Sequence, residues 1–232
     1  MKKREEIIEV LNKFYNEKGI TPDDNFNCPN KDNCNRRDIP LAQGMQCHVG
    51  TEYGEAGKIK ALVVSLDCGG GGKETIEDRT KDVQEGHNNP QMKGTTLCIS
   101  DLLQMKENPK ESLSYYAMTN SCKCSRKDSS NQLPDFFYEQ CAEFKIKEIE
   151  LIDPDVAYFQ GKNALIGVNF ENIDNRTDGI FEHLKHLRIG NKKIYAVQCI
   201  HPSARGSNYK RRVSFYDEKL PKINDYIRKI IK

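Results

Sequence analysis

Asp67 is the residue around which chemistry can be built. It stands in the stretch 58–74, KIKALVVSLDCGGGGKE, where a largely apolar, β-branched run gives way to Ser65-Leu66-Asp67-Cys68 and then to four glycines, Gly69 to Gly72. The apolar run, 59–64, has the length of a buried strand rather than a helix. A carboxylate at its end, beside backbone with no side chains to hold a ligand away, reads as the floor of a site. A phosphate-binding loop does not account for the stretch, because Gly72-Lys73 is followed by Glu74 rather than Ser or Thr, and no glycine stands at the required upstream spacing. Two more polar positions follow strand-like runs: Asn120 after 115–118, and His201-Pro202-Ser203 after 193–199. A carboxylate can take a proton from water or face a developing positive charge, an imidazole can donate to a developing negative one, and an amide offers both donor and acceptor.

These three positions need a scaffold that brings strand ends together. Residues 3–18 carry Ile7, Ile8, Val10, Leu11, Phe14 and Tyr15 at helical spacing, with Lys and Glu opposite. Residues 133–152 read as one long helix stopped by Asp153-Pro154, residues 98–103 as a short apolar helix, Gly161 as the start of another, and 213–231 as a closing helix containing Pro221. Strands are expected at 59–64, 115–118, 156–159 and 193–199, and the polar passage 74–96 reads as a long loop. Strands alternating with helices imply a three-layer α/β/α fold on a central four-stranded parallel sheet, with right-handed crossovers. Ligands of such sheets bind at the carboxyl ends of the strands, where Asp67, Asn120 and His201 all fall.

The chain has 232 residues and a net charge of +2, too small to announce a nucleic-acid partner by itself, so a basic surface must be local. Lys210-Arg211-Arg212 is one such patch. No apolar run approaches the roughly 20 residues that span a bilayer, and the N-terminus MKKREEIIEV lacks the apolar centre of a signal peptide. No membrane role, a cytoplasmic location and a monomeric single domain over 1–232 are therefore expected. Nine cysteines, an odd number, fit metal ligation better than a disulfide framework in a reducing compartment. Cys28, Cys34 and Cys47 lie in the polar segment 20–50, where there is little apolar content to pack against, and read as ligands. Cys98, in an apolar helix, reads as core.

These residues resemble the uracil-DNA glycosylase superfamily, and most closely its iron-sulfur-containing branch. His201-Pro202-Ser203 coincides with the family's second motif, and Ser65 to Gly69 occupies the place of its first. TNSCKC, followed by Cys141 and EFKIKEIELIDPDVAYFQGKNAL, is similar to that branch's Thr-Asn, Lys-Cys, distant Cys and Pro-led strand ending in Gly; the likeness covers roughly residues 28–212. It implies a DNA glycosylase that extrudes a pyrimidine and hydrolyses its N-glycosidic bond. Asp67 and His201 would be catalytic, and Cys68, Gly69, Gly70, Asn120, Ser203 and Arg205 would bind substrate, with Arg205 at the family's wedge position. Four of Cys28, Cys34, Cys47, Cys124 and Cys141 would hold a 4Fe-4S cluster, with zinc as the competing occupant and Cys122 as a further candidate.

The departures point to the substrate. The family branches exclude a C5 substituent with a tyrosine or a glutamate, and both positions are glycine here, Gly69 and Gly72. A pocket open at C5 suits a modified pyrimidine, such as a hypermodified base of phage DNA, with uracil as the family default and Met92 as a residue able to close the same space. Two other functional classes fit the same features: a catalytically inactive nucleic-acid-binding iron-sulfur protein, and a structural metal protein within a larger complex.

Overall fold

The computed structural model describes residues 3–22, 26–35, 41–42, 46–66, 74–86, 90–126, 133–173, 179 and 181–231. In chain order the helices are α1 (Arg4–Glu17), α2 (Lys31–Asn35), α3 (Ile76–Glu85), α4 (Pro90–Leu102), α5 (Asp135–Gln140), α6 (Ala142–Ile152), α7 (Tyr209–Ser214) and α8 (Leu220–Ile231). The strands are β1 (Leu41–Ala42), β2 (His48–Val49), β3 (Ala61–Ser65), β4 (Tyr116–Asn120), β5 (Ser125–Arg126), β6 (Val156–Gln160), β7 (Phe170–Asn172), β8 (Leu184–Ile189) and β9 (Lys192–Cys199).

The fold is mixed α/β, with a mostly parallel central sheet ordered β2-β4-β3-β6-β9-β8-β7. Its four inner strands, β4, β3, β6 and β9, run parallel and are the four expected from the sequence. The sheet has seven strands rather than four, because β2 is added antiparallel to β4 and the β8–β9 hairpin brings in β7. Those additions escape a reading by alternation. β2 has two residues and β7 three, while β8, LKHLRI, carries three basic or imidazole side chains. The helices pack on both faces of the sheet, in keeping with the expected three layers.

Side-chain alternation along the strands assigns the two faces. Leu62, Val64, Ala117, Ala157 and Phe159 meet α1, α5 and α6, whereas Val63, Tyr116, Met118, Tyr158 and Val197 meet α4, α8 and Phe215. The sequence 74–96 is not a loop. Thr75 caps α3 through a reciprocal bond with Asp78, only Ile76, Thr80 and Val83 face inward, and α4 begins at Pro90. The long helix expected over 133–152 is two, α5 and α6, parted at Cys141. The closing helix runs on through a π turn, Phe215–Lys219, one residue short of Pro221, where a looser turn accommodates a ring that cannot donate. Among the described residues no helix is long and apolar enough to cross a membrane.

His48 on β2 is completely buried, with its ring 4.9 Å from that of Tyr116. Burial first, and then the charges of Arg79 and Arg4, bring its imidazole down to about 3. The native state therefore keeps His48 neutral while the unfolded chain protonates it near 6.5, so its contribution is full above that pH and declines as pH falls toward 3. Urea denaturation across this range should show His48→Leu losing less stability between pH 7 and pH 4 than the wild type; parallel acid limbs would contradict the assignment.

Candidate functional site at the carboxyl edge of the sheet

The register sets the edge level. Ser65 at the end of β3 stands opposite Asn120 at the end of β4, and the Gly161 N–H donates to the Cys199 carbonyl (3.0 Å), bringing the exits of β6 and β9 together. Asn120 and His201 thus share one edge, separated laterally by β3 and β6, about 14 Å at ordinary strand spacing. Asn120 is buried and His201 is half-buried. Asp67, Cys68, Gly69 and Gly70 lie outside the described residues; Leu66, the last described before them, accepts from the Cys122 N–H at 3.0 Å.

Beneath the edge runs a chain of hydrogen bonds that the sequence did not announce. The Gln91 amide donates to the Ser65 hydroxyl (2.6 Å), Ser65 donates to Gln160 Oε1 (3.3 Å), and Gln160 Nε2 donates to the Thr95 hydroxyl (3.0 Å). Gln160 and Thr95 are fully buried, so both ends of the glutamine amide are met inside the protein. The chain ties the start of α4 to the exits of β3 and β6. Met92 points into the core beside it.

The His-Pro-Ser turn is clamped from several directions. The Ser203 N–H donates to His201 Nδ1 (3.1 Å), and the Ala204 N–H donates to the His201 carbonyl (2.9 Å). An accepting Nδ1 leaves the proton of a neutral ring on Nε2, which becomes the donor. Gly161 stands directly behind the ring. A Cβ there would meet His201 Cβ at 3.2 Å, and its φ of +93° is in any case costly for another residue. Gly94 on α4 admits Pro202 so closely that a Cβ would fall 2.5 Å from the proline ring. The Tyr216 hydroxyl donates to the Ile200 carbonyl (3.0 Å), and Arg212 Nη1 donates to the Pro202 carbonyl (3.0 Å). Ser203 is half-buried, while Arg205 is exposed at the entry to the turn Gly206–Asn208. Beyond it Tyr209, Lys210 and Arg211 are exposed, with the Arg212 guanidinium over the Tyr209 ring at 4.8 Å. These side chains form one basic and aromatic ledge beside the histidine.

The cysteines gather on the other side of Asn120. The antiparallel pair β1–β5 ties the N-terminal segment to the stretch after β4, and the bond from Asn30 Nδ2 to the Gln140 carbonyl (2.6 Å) ties it to the end of α5. Cys122 Sγ lies 3.8 Å from Cys141 Sγ. The Cys122 thiol, the Lys123 N–H and the Lys123 ammonium favour a charged Cys141, holding it below the usual thiol range against burial, and Cys122 is pushed up in turn. Burial, followed by the charges of Cys141 and Cys28, pushes Cys34 up to about 11. Cys28 is likewise raised by burial, with Cys141 adding to it. Cys28, Cys34 and Cys141 therefore feel one another, and Cys124 neighbours Cys122. Cys47 is placed differently, against Tyr15 and Glu148, and burial pushes it up to about 12. Cys98, as expected, is core. Among the described residues no three His, Cys, Asp or Glu side chains stand together as ligands of a single ion.

One buried carboxylate links these parts. Glu148 on α6 accepts from the hydroxyls of Tyr15 (2.5 Å) and Thr119 (2.5 Å) and from the Lys123 ammonium (2.5 Å), which also donates to Thr119 (2.8 Å). Thr119 and Lys123 bracket Asn120 and Cys122, so the amide and the thiols hang from a single anchor. Nothing in the sequence singles it out, since Glu148 is one of several charges along α6, with Glu143, Lys145, Lys147 and Glu150.

Long-range proton–nitrogen spectra of neutral protein should show His201 with its proton on Nε2; a proton on Nδ1 would contradict the Ser203 contact. Comparison with protein-family models and with curated proteins returned no match for this chain.

Proposed function

We propose that the chain is a monofunctional DNA glycosylase, which extrudes a pyrimidine nucleotide from the stack and hydrolyses its N-glycosidic bond to leave an abasic site. The observation that carries this reading is the His201 turn, in which the Ser203 N–H donates to Nδ1 and so leaves the proton of a neutral ring on Nε2, at the same sheet edge that carries Asn120. Bond cleavage leaves negative charge on the departing base and positive charge on the sugar, and the donor serves the first. Asp67, two residues beyond β3, serves the second. Its carboxylate faces the oxocarbenium-like sugar and takes a proton from the water whose oxygen bonds to C1′, while the base departs with the bonding electron pair. Asn120 meets the Watson–Crick edge of the extruded base with a donor and an acceptor. Ser203 and the ledge of Arg205, Lys210 and Arg211 meet the phosphates and the gap left in the stack.

The substrate class follows from the residue types after Asp67. The positions at which the resembled family carries its C5 gates are Gly69 and Gly72, which have no side chain to supply one, and Met92, buried in the core, belongs to the hydrophobic packing of α4. A C5-substituted pyrimidine, including the bulky modified bases of phage DNA, fits such a pocket, and uracil fits as the smaller case.

The thiols suit a 4Fe-4S cluster in donor chemistry. Cys28, Cys34 and Cys141 would hold it with Cys124 or Cys122 as the fourth ligand, and Cys47, drawn off to Tyr15, is the least suited of the set. The cluster would supply structural cross-linking, fastening the N-terminal segment to the loop after β4; the chemistry belongs to Asp67 and His201. An inactive nucleic-acid-binding protein with the same cluster is the second reading, supported by the basic ledge alone.

Purified protein incubated with paired duplexes, one containing uracil and others 5-substituted cytosines or uracils, should convert the substituted bases to alkali-labile sites. Asp67→Asn and His201→Ala should each lower the rate by about 10²–10⁴. Release from uracil alone would overturn the open pocket, and release from none would favour the inactive binding protein.

A further inference from the structure

We infer that Lys145 is an internal counter-cation of the cysteine centre, so that the site is built to hold an anionic metal–thiolate group and is penalised when empty. The inference rests on the cysteine reading above. Lys145 lies on α6 one turn after Cys141 and is completely buried. Its ammonium donates to two neutral acceptors, the carbonyls of Ala164 (3.0 Å) and Ile166 (2.5 Å), and among the described residues no carboxylate pairs with it. The other buried lysines are matched differently: Lys123 rests on Glu148, and Lys60 on Asp153 at 2.6 Å. A buried cation without a counter-charge is strongly unfavourable. The groups of opposite sign whose charge reaches Lys145 are Cys141, one helical turn before it, and Cys122, while Lys123 adds a like charge from the loop after β4.

Four thiolates around a 4Fe-4S core or a zinc ion leave net negative charge on the centre, beyond the single charge of Cys141 that Lys145 shares with Lys123 in the empty protein. The two states should therefore respond oppositely to its removal. Lys145 stabilises the loaded protein and destabilises the stripped one, whereas a lysine that merely joined α6 to the turn Lys162–Leu165 would act alike in both.

The test compares wild type, Lys145→Gln, which keeps a donor for the carbonyls but loses the charge, and Lys145→Met. Each is stripped with a chelator and, in parallel, loaded with ferrous iron and sulfide or with zinc, and melted in every state. Absorbance at about 400 nm separates the iron-sulfur form from the zinc form. The expected result is a crossover. Stripped Lys145→Gln melts above stripped wild type, while its loaded form melts lower and surrenders metal to chelator faster, on the order of tenfold, the scale of one charge interaction in a partly screened interior. A shift of the same sign in both states, or none, would overturn the inference. Wild type that takes up neither iron-sulfide nor zinc would overturn it together with the cysteine reading, and base excision by that same preparation shows that the glycosylase reading stands separately.

Discussion

The structure depends on one buried carboxylate. Glu148 is completely enclosed, and its oxygens are met by α1 through Tyr15, by the end of β4 through Thr119 and by the following loop through Lys123. Burying such a pair brings little net stability, because desolvation offsets most of the attraction, but breaking it costs about 3–5 kcal/mol. The pair therefore acts chiefly as a specification. It admits a single arrangement of α1, α6 and residues 119–123, and with it one position for Asn120 and for Cys122.

The opposite side of the edge is fixed by close approach rather than by charge. Gly161 and Gly94 let the His201 ring and the Pro202 ring come closer than any side chain would permit, and Tyr216 and Arg212 hold the carbonyls before and within the turn. The hydrogen-bond chain from Gln91 to Thr95 stiffens the strand ends between the two. Such a site is carried by regular elements whose own packing sets the geometry, which keeps a donor and an amide at a constant separation. The ledge that would meet a nucleic-acid backbone is, by contrast, solvent-exposed, as long-range attraction to phosphate requires.

What could be read in the sequence divides along physical lines. Three of the four parallel strands, β3, β4 and β6, are buried on both faces, which left runs such as ALVVS and VAYFQ legible, and β9 showed itself through Ile194, Ala196 and Val197. The hairpin β8–β9 was missed, although Gly190-Asn191 between Ile189 and Lys192 is a turn signal, because β8 lies toward the sheet's margin and carries polar side chains. Helix α3 was missed because a helix resting on one narrow stripe shows three inward residues in ten, and its capping pair was the better clue. Asn120 and His201 fell where strand ends predict ligands to bind. The anchoring Glu148, the counter-charge at Lys145 and the separation of Cys47 from the other thiols were not legible, since each depends on contacts between residues distant in the chain. The glycine stretch after β3 rests on the sequence alone.

The most direct measurement is a crystal structure of Asp67→Asn bound to a duplex containing one 5-substituted pyrimidine. The account predicts an extruded base at the carboxyl edge, its Watson–Crick side on Asn120, its carbonyl oxygen on His201 Nε2 and its C5 substituent over the glycine stretch. An unextruded base, or DNA bound across another face with that edge empty, would contradict it.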